Sequence, residues 1–449
     1  MTMSTVFDNR KLFLLLLFTA IIVAGSYAIR ATDSAGSMAA LLEPVLGPGE
    51  PPVPDTMPAA QQVEFWSNRL APDTKDYITL THLGRAYLMT ARETGDAAAY
   101  ARAEESLNRA LALNPRYEPA VALMGSVLIG QHAFDQARAG AAAALAANPE
   151  AYQALAVTGD AALELGDYDA AADAYNRLLA AVPDGPAYSR MARLAWLQGR
   201  PDEAIDWMKQ AADETLRLNI GGEELAWYRF QLGELYYNTG DLRAAEKWYH
   251  EADQAFPGYY NAAAGLGKIA AARGDLQEAI DIYAVLVERL PQPSFVAFLG
   301  DLYTLAGDTA AAQAQYDTVS FIQELEASQQ VLYNRQMALF FANHNIELEQ
   351  ALAYAERELT ARKDIYAYDT LAWVLYRLGR YDEAWAASDK ALALGTPDAA
   401  LHYHAGMIAA AQGDRAAATA HLGRALELNP YFDLIQAAAA RATLEEIGD

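Results

Sequence analysis

Cysteine is missing from all 449 residues. That excludes disulfides, thiolate metal sites, cysteine nucleophiles and a lipid anchored through cysteine. Basic residues are scarce: 33 Lys and Arg stand against 58 Asp and Glu, a net charge of -25 at pH 7. Nucleic-acid backbones are neutralised by clustered Lys and Arg, so this balance disfavours DNA or RNA as the partner. An acidic surface instead suits solubility, or a basic or apolar partner. Catalytic motifs are absent too. There is no GxSxG, no HExxH, no GxxxxGKS or GxxxxGKT and no paired CxxC. The expectation is no enzyme and no cofactor.

A few polar clusters remain. His402-Tyr403-His404, with His421 in the following helix, is the nearest approach to a metal site. Residues two apart on a helix point to different faces, and no further ligands are evident, so a structural or groove role is expected and no metal. His132, before Phe134, reads as a turn residue. Glu223-Glu224 and Glu445-Glu446 read as solvated charge.

Long apolar runs are also rare, with one exception. Leu12 to Ile29 is apolar apart from Thr19, Ser26 and Tyr27, with Arg10 and Lys11 before it. Beyond it only Arg30 is positive before Asp33, Glu43, Glu50 and Asp55. The positive-inside rule then places the N-terminus in the cytoplasm and the rest outside. Residues 1–30 are expected to be a single-pass membrane anchor. The alternative is a signal peptide cut at Ser26-Tyr27-Ala28, which leaves a secreted or periplasmic protein. Residues 31–58 form a linker whose Pro- and Gly-rich end, EPVLGPGEPPVPDTMP, suits a semi-stiff spacer.

The remainder repeats. Pro115, Pro149 and Pro183 are 34 residues apart, as are Gly125 and Gly159, Gly233 and Gly267, Pro257 and Pro291, and Gly379 and Gly413. Gly-Asp recurs at 166, 240, 274, 307 and 413, and Gly-Arg replaces it at 199 and 379. Five residues after each of these glycines stands an alanine. A helix, a tight turn, a second helix and a further turn account for the spacing. The turn glycine takes the left-handed conformation that ends the first helix, A. The Asp after it caps the second helix, B. Glycines in mid-helix A (125, 159, 233, 267, 300, 406) and the first alanine of helix B let backbones approach. Tyr175, Tyr249, Tyr283 and Tyr316 fall near one position of helix B, where a ring fills the space between hairpins.

These units resemble the tetratricopeptide repeat. LGELYYNTGD with Ala245, Tyr249, Ala252 and Pro257 matches nearly the whole consensus. The resemblance implies an all-α, right-handed superhelical solenoid of about ten hairpins after the N-terminal apolar segment. The boundaries read as a capping helix at 59–76, a first array at 77–218, a break at 219–225, a second array at 226–430 and a closing helix at 431–449. The first unit is lengthened around MTARETG, and the unit from Leu332 to Ile365 lacks both turn glycine and proline.

The order also resembles membrane-attached bacterial tetratricopeptide-repeat proteins, through RETGD, HAF at 132–134, YDTLAWVLYRLGRYDEA and LHYHAGMIAA. In the family, A helices line the concave face. That implies partner-binding positions at Trp196, Trp227, Phe230, Tyr237, Phe298, Phe340, Tyr366, Trp373, Tyr376 and Tyr403, with core packing as the other reading of the same stripe. The Lys and Asn pattern that clamps a C-terminal carboxylate is missing, since its positions hold Thr81, Arg85, Ala122, Ser126, Gln153 and Asp160. The expectation is a membrane-tethered, non-catalytic scaffold outside the cytoplasm that binds an extended or helical peptide with apolar side chains. The alternative is an accessory glycan- or small-molecule-binding protein of envelope or polysaccharide biogenesis, using the same rings.

Overall fold

The computed structural model describes residues 57–71, 74–96, 98–329 and 334–448. The expected anchor and nearly all of the linker lie outside them. Among the described residues no helix is long and apolar enough to cross a membrane.

The described regular structure is helical throughout. Helix α1 (Ala59–Arg69) leads into ten hairpins. They are α2 and α3 (Tyr77–Thr94, Ala98–Leu113), α4 and α5 (Glu118–Gly130, Phe134–Ala147), α6 and α7 (Tyr152–Glu164, Tyr168–Ala181), α8 and α9 (Gly185–Leu197, Pro201–Arg217), and α10 and α11 (Glu223–Asn238, Leu242–Ala255). There follow α12 and α13 (Tyr260–Arg273, Leu276–Arg289), α14 and α15 (Pro293–Ala306, Thr309–Gln329), α16 and α17 (Asn334–His344, Leu348–Ala361), α18 and α19 (Ile365–Arg377, Tyr381–Ala391), and α20 and α21 (Ala399–Ala411, Arg415–Leu428). Helix α22 (Gln436–Gly448) follows the last hairpin. The first helix packs on α2 through Trp66, whose ring stacks on His82 at 4.4 Å.

The turn chemistry follows from the residues. Gly166, Gly199, Gly240, Gly274, Gly307, Gly379 and Gly413 all have positive φ. Asp167, Asp241, Asp308 and Asp414 each accept a backbone N–H three residues on, the expected cap. Asp275 is the exception and makes no such bond. Where the turn glycine is missing, His132 and Asn345 carry the positive φ themselves.

The mid-helix glycines do something more specific than let backbones approach. A Cβ on Gly267 would lie 2.6 Å from the Tyr283 ring, and Gly159, Gly233 and Gly300 face Tyr175, Tyr249 and Tyr316 in the same way. Each tyrosine therefore occupies the volume that a side chain on helix A would take. Tyr249 also rests on Gly265 of the next A helix, so one ring joins two hairpins.

Solenoid units ordinarily touch only their neighbours. Here partners also meet 192–199 residues apart, just under six repeats of 34. The A-to-B turn of one hairpin rests on the loop that leaves a hairpin five further on. The Gly95 turn meets Leu290 and Gln292, Gly166 meets the Lys363 carbonyl, Gly199 meets the Gly395 carbonyl and Gly240 meets Leu428. The loop at Lys363 also reaches the neighbouring hairpin, where Arg362 lies over the Phe134 ring at 5.2 Å. Hydrogen bonds cross the same seam. Lys363 N donates to Glu164 O (2.9 Å), Thr396 Oγ1 to Leu197 O (2.5 Å), Ile365 N to Tyr168 Oη (2.9 Å) and Asn429 Nδ2 to Tyr237 O (2.9 Å). Successive turns of the superhelix are thus stacked in register.

Two substitutions separate the roles of glycine. Gly233→Ala pushes a methyl into the buried Tyr249 ring and is expected to destabilise the protein by about 1–3 kcal/mol. Gly140→Ala, with open space around its Cβ, is expected to stabilise by about 0.5–1 kcal/mol through helix propensity. Urea denaturation followed by circular dichroism checks both.

Candidate partner-binding groove

Three carboxylates next to the mid-helix glycines form a repeated device. Asp160 accepts from Tyr175 Oη (2.8 Å) and from Arg190 Nε and Nη2 of the next A helix (2.9 and 2.8 Å). Glu234 accepts from Tyr249 Oη (2.6 Å) and Lys268 Nζ (2.7 and 2.9 Å). Asp301 accepts from Tyr316 Oη (2.8 Å) and lies 2.9 Å from His344 Nε2. Burial and the neighbouring carboxylate push each of these phenols above its ordinary value, so each stays a donor. The acid is fixed by its own hairpin and bonded to the next, which ties neighbouring A helices together along the inner face.

A cavity of about 750 Å³ opens on that face. Asp160, Arg190, Arg193, Trp196, Glu224, Trp227 and Glu234 line it from α6, α8 and α10, and Arg92 reaches it from α2. Trp196 is 7% exposed and forms wall. Trp227 is half-buried and meets Tyr228 edge-on at 5.3 Å. The charges are largely matched inside the protein: Arg190 to Asp160, Arg193 to Glu164 (2.5 Å) and Arg92 to Glu223 (2.9 Å). What the cavity presents to an occupant is aromatic surface and donors held in place.

Glu164 ties this wall to the seam. Its second oxygen lies 2.6 Å from Arg362 Nε, on the superhelical turn above, and Arg362 also pairs with Glu358 (3.1 Å). Burial alone would raise the Glu164 carboxyl, but the Arg193 and Arg362 guanidiniums more than reverse this and hold it below its ordinary value.

Tetratricopeptide repeat models match residues 122–186, 185–252, 236–302, 366–390 and 399–432, which together span more than half of the chain. The chain belongs to the tetratricopeptide repeat family. Such repeats generally mediate protein–protein interaction, and the scaffold is typically non-catalytic. The repeat array is similar to several solved structures. One is the APC/C hetero-tetramer Cut9–Hcn1, at 15% identity over 87% of this chain and 94% of that chain, with a TM-score of 0.32. Another is BtubC (BKLC) from P. vanneervenii, at 19% identity over 44% and 91%, with a TM-score of 0.37. A third is PilW, a widely conserved type IV pilus biogenesis factor, at 16% identity over 45% and 91%, with a TM-score of 0.39. No curated protein sequence matches the chain.

The aromatic positions expected on the concave face of the tetratricopeptide array do not form one surface. Trp196 and Trp227 line the large cavity, and Tyr366 lines a smaller one among the last hairpins. Tyr237 is buried in the seam, donating to Tyr431 O at 2.7 Å. Phe230 packs against Tyr249 and Tyr259, and Phe298 against Tyr283 at 4.5 Å. Phe340, Trp373 and Tyr403 are buried, and half-buried Tyr376 stacks on Trp373 at 4.9 Å. Arg190, Arg193 and Arg92 were not foreseen as lining residues. The available signal was an acid directly after the mid-helix glycine with a tyrosine 15 residues on, seen at Asp160, Glu234 and Asp301.

The histidines separate as their spacing requires. His402 Nδ1 lies 3.1 Å from His421 Nδ1, and burial with the His421 charge lowers His402 to about 4. His404 turns the other way, onto the Asp369 carboxylate at 2.9 Å. Among the described residues no group of three or more His, Asp and Glu could hold a metal ion.

Glu164→Gln leaves two guanidiniums short of their partner. It is expected to cost about 2–4 kcal/mol, below the roughly 3–5 of a fully enclosed pair because Arg193 is half exposed. The folded value is depressed, so the wild-type advantage is complete above the ordinary value of 4.5 and shrinks as pH falls through the folded one. Denaturation curves of both proteins between pH 3 and 8 check the sign.

Proposed function

We propose that this protein is a non-catalytic interaction scaffold that holds a peptide or protein segment in the Trp196–Trp227 cavity. The observation that carries the reading is the cavity itself. Its volume of about 750 Å³ is enough for several side chains, and it lies where stacked A helices present a common face. Its charges are mostly paired internally, so the favoured occupant is an extended or helical segment that offers apolar side chains to Trp227 and hydrogen-bond acceptors to the arginines. Residues 1–30 tether the array to a membrane and the charge asymmetry around Leu12–Ile29 sets it outside the cytoplasm, as a single-pass protein. Cleavage after Ser26-Tyr27-Ala28 would instead release it as a secreted or periplasmic protein.

A photo-crosslinking amino acid in place of Trp227, in the full chain within native membranes, is expected to give a discrete protein adduct. The same group in place of Val285, which is 55% exposed on a B helix, is expected to give none. Equal adduct patterns at the two positions would contradict the proposal.

A further inference from the structure

A second cavity, of about 260 Å³, lies where α16, α18 and α20 meet the segment before α22. Three carboxylates line it: Asp369, Asp398 and Asp433. Arg335 is the one arginine or lysine in its wall and lies over the Tyr366 ring at 5.8 Å. Asp398 Oδ1 accepts from Ala400 N at 2.9 Å, capping α20. Asp433 Oδ1 accepts from Ile435 N and Gln436 N at 2.8 and 2.7 Å, capping α22. Among the described residues neither of these two carboxylates has an ion pair, and burial pushes both above the ordinary carboxylate range.

An independent observation points the same way. His404 lines this cavity, is 3% exposed, and has Nδ1 on the two oxygens of Asp369 at 2.9 and 3.0 Å. Its Nε2 is buried and has no hydrogen-bond partner. Buried polar atoms in folded proteins are nearly always partnered, and an orphan calls for an explanation. In the tautomer that carries its one proton on Nδ1, directed at Asp369, an imidazole presents a lone pair at Nε2. That lone pair asks for an N–H, and the surrounding carboxylates ask for positive charge. The Tyr366 and Phe432 rings, also in the wall, supply faces on which a cation can lie.

We propose that this cavity binds a small organic cation, an ammonium or guanidinium, whose N–H groups reach His404 Nε2 and the carboxylates of Asp398 and Asp433. The cation is either a free amine or the side chain of a Lys or Arg presented by a peptide. The site is separate from the Trp196–Trp227 cavity and does not depend on it.

Isothermal titration of the full chain in detergent micelles tests this with putrescine, agmatine and a short peptide carrying a single arginine, with butan-1-ol as the uncharged control. At least one cation is expected to bind at one site with Kd below about 1 mM. Asp433→Asn and Asp398→Asn are each expected to weaken it tenfold or more. Both keep a residue that caps helices as well as Asp, so the thermal midpoint should hold. Binding by a free amine assigns the first source and binding by the peptide alone assigns the second. Either upholds the cation site. No binding by any cation, equal binding of butan-1-ol, or full affinity in both Asn variants would overturn it.

Discussion

The contact of one superhelical turn with the next, backbone against backbone, is the constraint on which the rest of this structure depends. It is possible because the hairpin turns carry glycine. A side-chain atom on Gly166 would collide with the Lys363 carbonyl, and one on Gly199 would lie 2.7 Å from the Gly395 carbonyl. Left-handed φ and absence of Cβ are therefore used twice, once to end helix A and once to admit the turn above. The backbone groups freed at these loops find partners across the seam, as in Lys363 N to Glu164 O.

Stacking changes what the concave face can be. A solenoid that touches only its neighbours leaves an open groove along its length. Here Trp196 Nε1 lies 3.4 Å from Tyr366 Oη of the turn above, and Tyr237 is drawn into the seam. Rings that an open superhelix would display are packed against one another, and the inner face is divided into separate cavities of different character. The larger is aromatic with paired charges. The smaller is acidic and retains an unpartnered imidazole nitrogen. Glu164 pairs with Arg193 of the cavity wall and with Arg362 across the seam, so one carboxylate links the wall to the closure of the superhelix.

Much of this was legible in the residues. The 34-residue period fixed the phase of the hairpins, and each departure from it falls at a particular element. The lengthened first unit is the 18-residue α2 ending at Gly95, and the unit without a turn glycine closes through Asn345 and Glu347 at positive φ. The break after Leu218 is the Asn219–Gly222 loop, where both named residues have positive φ. What could not be read was the seam. Its partners stand 192–199 residues apart, which is not a multiple of 34, because the rise of the superhelix is set by the small rotation accumulated at every hairpin. No local pattern encodes that sum. Nor does a stripe of aromatic residues by itself say which rings pack and which stay open, since the neighbours that bury Trp373 and Tyr403 come from several hairpins.

The absence of cysteine makes the central claim directly measurable, because two introduced thiols would be the only ones in the chain. Arg200 and Ala393 are exposed and flank the Gly199–Gly395 contact from opposite sides of the seam. Spin labels at these two positions, read by double electron–electron resonance, should give one narrow distribution at short distance, as stacked turns require. A broad distribution, or one centred at the long separation of an open superhelix, would contradict the account.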